Sequence, residues 1–235
     1  MKIRRLLLSY GLPTLFSVLL GGGSALKLLP FDWLEAFGFI TGAWGVWLQV
    51  RESVWNWPVQ LVSSALYVVV FFKARLFADT GLNVVYIGLY VLGWYWWLRG
   101  GPDRGELVIH RTPLRLAGFL AVLTVAATAG WTVVLTSIND SAPFLDALTT
   151  AVSLVALFLT ARKLLESWWV WIAVNVVYIG LYAYKSLPLT AVLYGLFAAL
   201  SVAGLLNWQR LWRRQQDREG AVAATRLGAG ANGST

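Results

Sequence analysis

R-K-L-L-E-S-W-W-V-W-I-A-V-N-V-V-Y-I-G-L-Y, residues 162–182, opens with two cations and a carboxylate and then turns apolar. The strong polar groups in that apolar run are one amide, Asn175, and the tips of aromatic rings. On a helix, Trp168, Trp171, Asn175, Tyr178 and Tyr182 recur at steps of three, four, three and four, which lines them along one face. An amide among rings at membrane depth is costly without a partner. Asn175 therefore marks either a polar contact between helices or a ligand.

The whole chain supports that depth. Of its 235 residues 58% are hydrophobic and 13% charged, with a mean hydropathy of +0.66, whereas a soluble domain carries roughly 25% charged residues. The apolar residues arrive in runs near 20 long, the length that crosses a hydrocarbon core of about 30 Å. Cysteine is absent, which excludes thiol catalysis and thiolate metal sites, and His110 is the only histidine. No cofactor is expected. The net charge of +8 reads as membrane topology rather than as nucleic-acid binding. The partners expected are thus a lipid bilayer and a small molecule, with no nucleic acid.

Eight apolar segments fall near 6–26, 33–50, 53–72, 79–98, 115–137, 144–161, 167–184 and 188–208. The first begins like a signal peptide, but its apolar run continues to Leu29 without a small-x-small cleavage site, so a retained helix is expected. Counting Lys and Arg on alternate sides of eight spans puts 15 on one side and 4 on the other, all 19 of the chain. The positive-inside rule then places both termini in the cytoplasm.

The chain also repeats itself. Glu52-Ser53-Val54-Trp55-Asn56-Trp57 is echoed by Glu166-Ser167-Trp168-Trp169-Val170-Trp171, an E-S-x-W-x-W pattern at an offset of 114 (166 less 52). Lys73 then answers Lys185, and Trp97 answers Trp208. Three spans, a linker span and three more make two parallel triplets, the repeat class that includes the SWEET transporters and places its substrate between repeats near the midplane. The identical N-V-V-Y-I-G-L-Y at 83–90 and 175–182 does not fit that register and reads as coincidence. The fold expected is an all-α integral membrane protein, a SWEET-like 3+1+3 bundle of triple-helix repeats with an extra amino-terminal helix. Its parts are 1–30 (extra helix), 31–99 (first repeat), 100–142 (cytoplasmic loop and linker helix), 143–209 (second repeat) and 210–235 (a basic, disordered cytoplasmic tail).

The blocks W-L-E-A-F-G-F-I-T-G at 33–42, G-W-Y-W-W at 93–97 and R-K-L-L-E-S-W-W-V-W-I-A-V-N at 162–175 resemble the PnuC family of bacterial vitamin transporters. The resemblance covers about 33–210. It implies a seven-helix 3+1+3 core in the bacterial inner membrane, with no enzymatic activity of its own, and a homotrimeric assembly. The implied activity is facilitated diffusion of nicotinamide riboside, trapped afterwards by cytosolic phosphorylation. Relatives of that family carry thiamine or riboflavin instead. The family often has Gly and Asn where this chain has Gln60 and Ser63, and Gln where it has Asn83, which keeps those alternatives open. A non-transporting membrane sensor or structural protein is the rival from another class.

The candidate substrate-binding residues follow from both readings. Trp171 offers a face for a cationic ring, and Asn175 a donor and an acceptor for a carboxamide or ribose hydroxyl. Tyr178 and Trp168 share their stripe. In the first triplet Gln60, with Trp57 beside it, lies on one face with Asn56, Ser63 and Tyr67. Asn83 and Tyr86 lead the polar stripe of the third span, and Tyr194 answers Asn83 in the second triplet. Packing between helices is the alternative for each of them.

Overall fold

A computed structural model describes residues 14, 17, 33–73, 77–138, 142–184 and 188–232. Among these lie seven α-helices, which we number α1 (Trp33–Val50), α2 (Asn56–Lys73), α3 (Phe77–Arg99), α4 (Leu114–Ser137), α5 (Pro143–Ala161), α6 (Ser167–Tyr184) and α7 (Pro188–Asn232). They cover the seven later apolar runs, with α7 extending past the last of them, and no β-strand occurs among the described residues. The expected first span, 6–26, lies outside the described residues apart from Thr14 and Ser17. Ser17 Oγ accepts the indole N–H of Trp44 on α1 at 2.8 Å. Pro143 and Pro188 open α5 and α7, and Pro58 sits in the first turn of α2. There a missing N–H costs nothing and the fixed φ is already helical.

The chain forms two compact units, divided between Leu107 and Val108. In the first, α2 lies against both α1 and α3; in the second, α4 packs on α5, α5 on α6 and α6 on α7. The α4 helix turns most of its apolar surface outward, with Val122, Val125 and Val133 each 70% exposed. Such a surface suits acyl chains, where no backbone or hydroxyl donor can be left unpaired. Three of its hydroxyls comply, whereas that of the buried Thr128 has no partner among the described residues. Thr124, Thr132 and Thr136 each donate to the carbonyl four residues back, at 2.7, 2.7 and 2.8 Å.

Two turns share one hydrogen-bond pattern, in a register that differs from the sequence match. The turn from α1 to α2 is reproduced bond for bond in the turn from α5 to α6. Glu52 N–H donates to Gln49 O at 3.0 Å as Lys163 N–H does to Thr160 O at 2.9 Å. Ser53 N–H donates to Leu48 O as Leu164 N–H does to Leu159 O, both at 2.9 Å. Asn56 N–H and Ser167 N–H close the next step, onto Ser53 O and Leu164 O. Glu52 (φ 59°) and Lys163 (φ 51°) both take the left-handed conformation. Every pair is 111 residues apart (163 less 52), so E-S-x-W-x-W at 114 is displaced by three residues, almost one helical turn. Trp57 therefore corresponds to Trp168, Gln60 to Trp171 and Ser64 to Asn175. Asn83 on α3 and Asn175 on α6 are 92 residues apart (175 less 83), which leaves N-V-V-Y-I-G-L-Y outside the spacing of 111.

The tail departs from expectation. Instead of disorder beyond Arg210, the α7 helix continues to Asn232. Arg, Gln, Glu, Leu and Ala dominate 210–226 and are strong helix formers. A helix already nucleated by the packed part of α7 propagates through them without a new nucleation cost.

The connector is also more ordered than a charged loop suggests. His110 N–H donates to Lys163 O at 3.1 Å and Leu165 N–H to His110 O at 2.9 Å, forming a single parallel bridge to the α5–α6 turn. Glu166 reaches back to that connector. Its carboxylate accepts from Arg111 Nε, from Thr112 N–H at 2.7 Å and from the Thr112 hydroxyl at 2.7 Å. Partial burial pushes the Glu166 carboxyl up, but these hydrogen bonds outweigh it and hold the group below its ordinary range. A depressed folded value stabilises above the unfolded value and is lost as pH falls through the folded one. Glu166→Gln is expected to cost about 1.5–3 kcal/mol at neutral pH. Thermal unfolding in detergent should show that deficit narrowing as pH drops below about 4.5; a deficit independent of pH would contradict the clamp.

Candidate functional site

Each unit is keyed by one tryptophan. Trp57 and Trp168 open α2 and α6 and are 0% and 1% exposed. Trp57 meets Trp97 edge-on at 5.3 Å, and Trp168 meets Trp208 edge-on at 5.4 Å, each at 85°. Both rings lie on a glycine of the third helix. A Cβ built at Gly93 or Gly204 would stand 2.4 Å from Cη2 of its tryptophan. Neither indole N–H has a hydrogen-bond partner among the described residues. These two candidates sit in the packing that fastens α2 to α3 and α6 to α7.

The remaining candidates of the second unit gather on α6 and its neighbours. The half-buried Trp171 donates its indole N–H to Thr160 Oγ1 of α5 at 3.1 Å. One turn on, Asn175, 5% exposed, donates Nδ2–H to Ser201 Oγ of α7 at 3.3 Å. Another turn on, Tyr178 stacks on Tyr194 of α7, with centroids 4.4 Å apart and planes at 26°. Phe197 closes the group edge-on to Tyr194 at 6.0 Å. The expected stripe is therefore real from Trp171 to Tyr178: one amide between an indole and a pair of stacked phenols.

The first unit repeats the plan with other side chains. Gln60, which corresponds to Trp171, lies across α1 at Gly45, where a Cβ would stand 2.5 Å from Gln60 Cδ. Here glycine is needed for the approach of an amide. The side chains of Ser64 and Tyr90 hydrogen-bond at the positions of Asn175 and Ser201. Asn83 is buried, and the half-buried Tyr86 lies 6.1 Å from Tyr90, which in turn lies 6.1 Å from Trp57. Gln60 and Trp57 thus share one unit with Asn83 and Tyr86, and the other five candidates share the second.

The residues that the sequence reading missed are Thr160, Ser201 and Ser64, while Tyr90 lies on the third-span stripe with Asn83 and Tyr86. A threonine or serine in an apolar run ordinarily bonds its own helix, so nothing in the pattern singles these out. A signal for the register did exist. G-x-x-x-W occurs at 93–97 and again at 204–208, at the spacing of 111. The candidate lining consists of rings, amides and hydroxyls, and among the described residues no group of three metal-ligating side chains forms. Such a lining can bind a flat aromatic ring with polar substituents.

A family model described as the nicotinamide mononucleotide transporter matches residues 32–210, from α1 into α7. The chain belongs to this family. Its membership makes it a membrane transport protein, in keeping with helices such as Leu114–Ser137 and Pro143–Ala161 that are long and apolar enough to cross a bilayer. Among relatives, the nicotinamide riboside transporter PnuC of Escherichia coli is 27% identical over 218 residues, covering 82% of this chain and 90% of its own. The riboflavin/roseoflavin transporter RibM of Streptomyces davaonensis is also 27% identical, covering 78% of this chain and 86% of its own. A crystal structure of the vitamin B3 transporter PnuC superimposes with a TM-score of 0.64 at 26% identity, over 86% of this chain and 92% of that one. The family match and this likeness agree with the resemblance carried by the three sequence blocks.

Proposed function

We propose that this protein carries nicotinamide riboside across the bacterial cytoplasmic membrane by facilitated diffusion, with phosphorylation in the cytosol trapping the product. The observation that carries the reading is the Trp171–Asn175–Tyr178 face, backed by Tyr194. A pyridinium ring against a desolvated indole gains about 2 kcal/mol, and an amide one turn away matches the carboxamide that the ring bears. Gln60 and Asn83, with Tyr86, are the first unit's contribution, and Trp57 and Trp168 hold the helices that present both sets. The names of the PnuC relatives and of the superimposed structure support the same substrate.

Uncoupled transport is supported by the spans themselves. Residues 36–50, 56–72, 80–98, 116–137, 147–161, 167–184 and 189–208 contain no Asp, Glu, Lys or Arg, whereas proton-coupled carriers place a titratable group in the path. The 3+1+3 order and the repeat support a carrier to which both triplets contribute. The charge count supports a cytoplasmic carboxyl terminus.

Riboflavin is the second reading, because RibM is as similar to this chain as the PnuC relatives are. Calorimetric titration of the purified protein with nicotinamide riboside, thiamine and riboflavin separates the readings. Nicotinamide riboside is expected to bind at least about 10-fold more tightly than the other two, since each leaves a buried amide imperfectly paired. A preference for riboflavin would move the chain to the second reading.

A further inference from the structure

We propose that Ser201 is a positioning residue that locks the Asn175 amide with its oxygen left for the ligand, so that the site selects a ring substituent that donates an N–H. The inference deepens the nicotinamide riboside reading and rests on it.

The hydroxyl of Ser201 donates its only proton to Phe197 O, four residues back on α7, at 2.8 Å. Its oxygen is then left as an acceptor, and Asn175 Nδ2 at 3.3 Å fills that role. A flipped amide would set Oδ1 against an oxygen with no proton to give. The orientation therefore follows from the hydroxyl's own bond, which is the kind of network argument that assigns an amide. That leaves Asn175 Oδ1 as the amide's acceptor for a ligand. The same device holds the neighbouring ring. Thr160 Oγ1 donates to Ala156 O at 2.9 Å and accepts the Trp171 indole N–H at 3.1 Å. Two hydroxyls, each committed by an i to i−4 bond, thus fix the two site side chains of α6 as oriented parts.

The chemical consequence is specific. An amide oxygen held in this orientation accepts from a carboxamide NH2. A carboxylate in the same place offers no proton and sets its negative oxygens against Oδ1. Amide and acid forms of the same pyridine riboside should therefore be told apart by about 10- to 100-fold in affinity, the range expected when a buried acceptor loses its donor.

The test is calorimetry on the full-length protein with nicotinamide riboside and nicotinic acid riboside, for wild type, Ser201→Ala and Ser201→Thr. The expected result is a 10- to 100-fold preference for the amide in the wild type, collapsing to within about 3-fold in Ser201→Ala and retained in Ser201→Thr, which keeps the hydroxyl. A merely structural role for Ser201 would weaken both ligands together and leave their ratio unchanged, which would overturn the proposal. Equal binding of the two ligands by the wild type would overturn it without any variant, so a poorly folding Ser201→Ala leaves the question decidable. Failure of the wild type to bind nicotinamide riboside is a separate result that removes the substrate reading beneath it.

Discussion

Gly204→Ala is expected to yield protein that unfolds at markedly lower temperature or fails to accumulate folded, and Gly93→Ala should behave alike. Alanine ordinarily favours a helix over glycine by about 1 kcal/mol. Here the added carbon would stand 2.4 Å from Cη2 and Cζ3 of Trp168 and 2.6 Å from Cε3. The ring cannot retreat, because it is 1% exposed and held edge-on by Trp208. Overpacking of this kind costs about 1–3 kcal/mol and occasionally more, enough to reverse the propensity gain. Gly93 meets Trp57 in the same way at 2.4, 2.5 and 2.7 Å. Gly130 on α4, with nothing within 4 Å of a built Cβ, is the control, and Gly130→Ala should be neutral or slightly stabilising. Thermal unfolding monitored by near-ultraviolet circular dichroism reads all three. Equal stability of Gly204→Ala and Gly130→Ala would show that the tryptophan keys are loose.

Asn175→Ala and Trp171→Ala carry the largest expected effects on function. Loss of the indole face removes about 2 kcal/mol of attraction to a cationic ring, a fall of roughly 30-fold in affinity. Loss of the amide strands the ligand's carboxamide and costs a similar factor or more. Both side chains also bond across helices, to Thr160 and Ser201, contacts worth about 0.6–2 kcal/mol in a membrane. A modest loss of stability is therefore expected whether or not the face binds a ligand. Binding is the discriminating readout. Calorimetry with nicotinamide riboside on the folded fraction should show affinity lowered by at least 10-fold in each variant. Wild-type affinity in both would reduce the stripe to packing.

The positions of the helices were legible because a bilayer leaves a chain little choice: apolar runs near 20 residues with proline at their starts have one reading. The tail was misread because its composition resembles disorder, while the helix it continues had already met the nucleation cost. The register was legible on α3 and α7, where Trp97 and Trp208 stand 111 apart (208 less 97), but not at the turns. Identity drew the eye to E-S-x-W-x-W, whereas the fold conserves geometry at 111 with unlike residues, Gln60 for Trp171 and Ser64 for Asn175. Tyr90 and Ser201 make that point most clearly. Both are partners of a polar side chain on the second helix, yet one is a phenol and the other a hydroxymethyl group. Side chains that differ at equivalent sites leave no repeat in the letters. Trp168 likewise reads from sequence as one of a stripe of rings, and only its depth shows that it meets Trp208 and Gly204. The stripe that opened the sequence thus divides, with Trp168 keyed into the fold and Trp171 to Tyr178 forming the face available to a ring.

The central claim is that this chain moves nicotinamide riboside passively, and uptake into proteoliposomes tests it most directly. With labelled nicotinamide riboside outside and no ion gradient, wild-type vesicles should fill to the external concentration and stop there, at a rate that a proton gradient does not change. Empty vesicles and Asn175→Ala vesicles should fill far more slowly. Entry no faster than in empty vesicles, or accumulation above the external concentration driven by a gradient, would contradict the account.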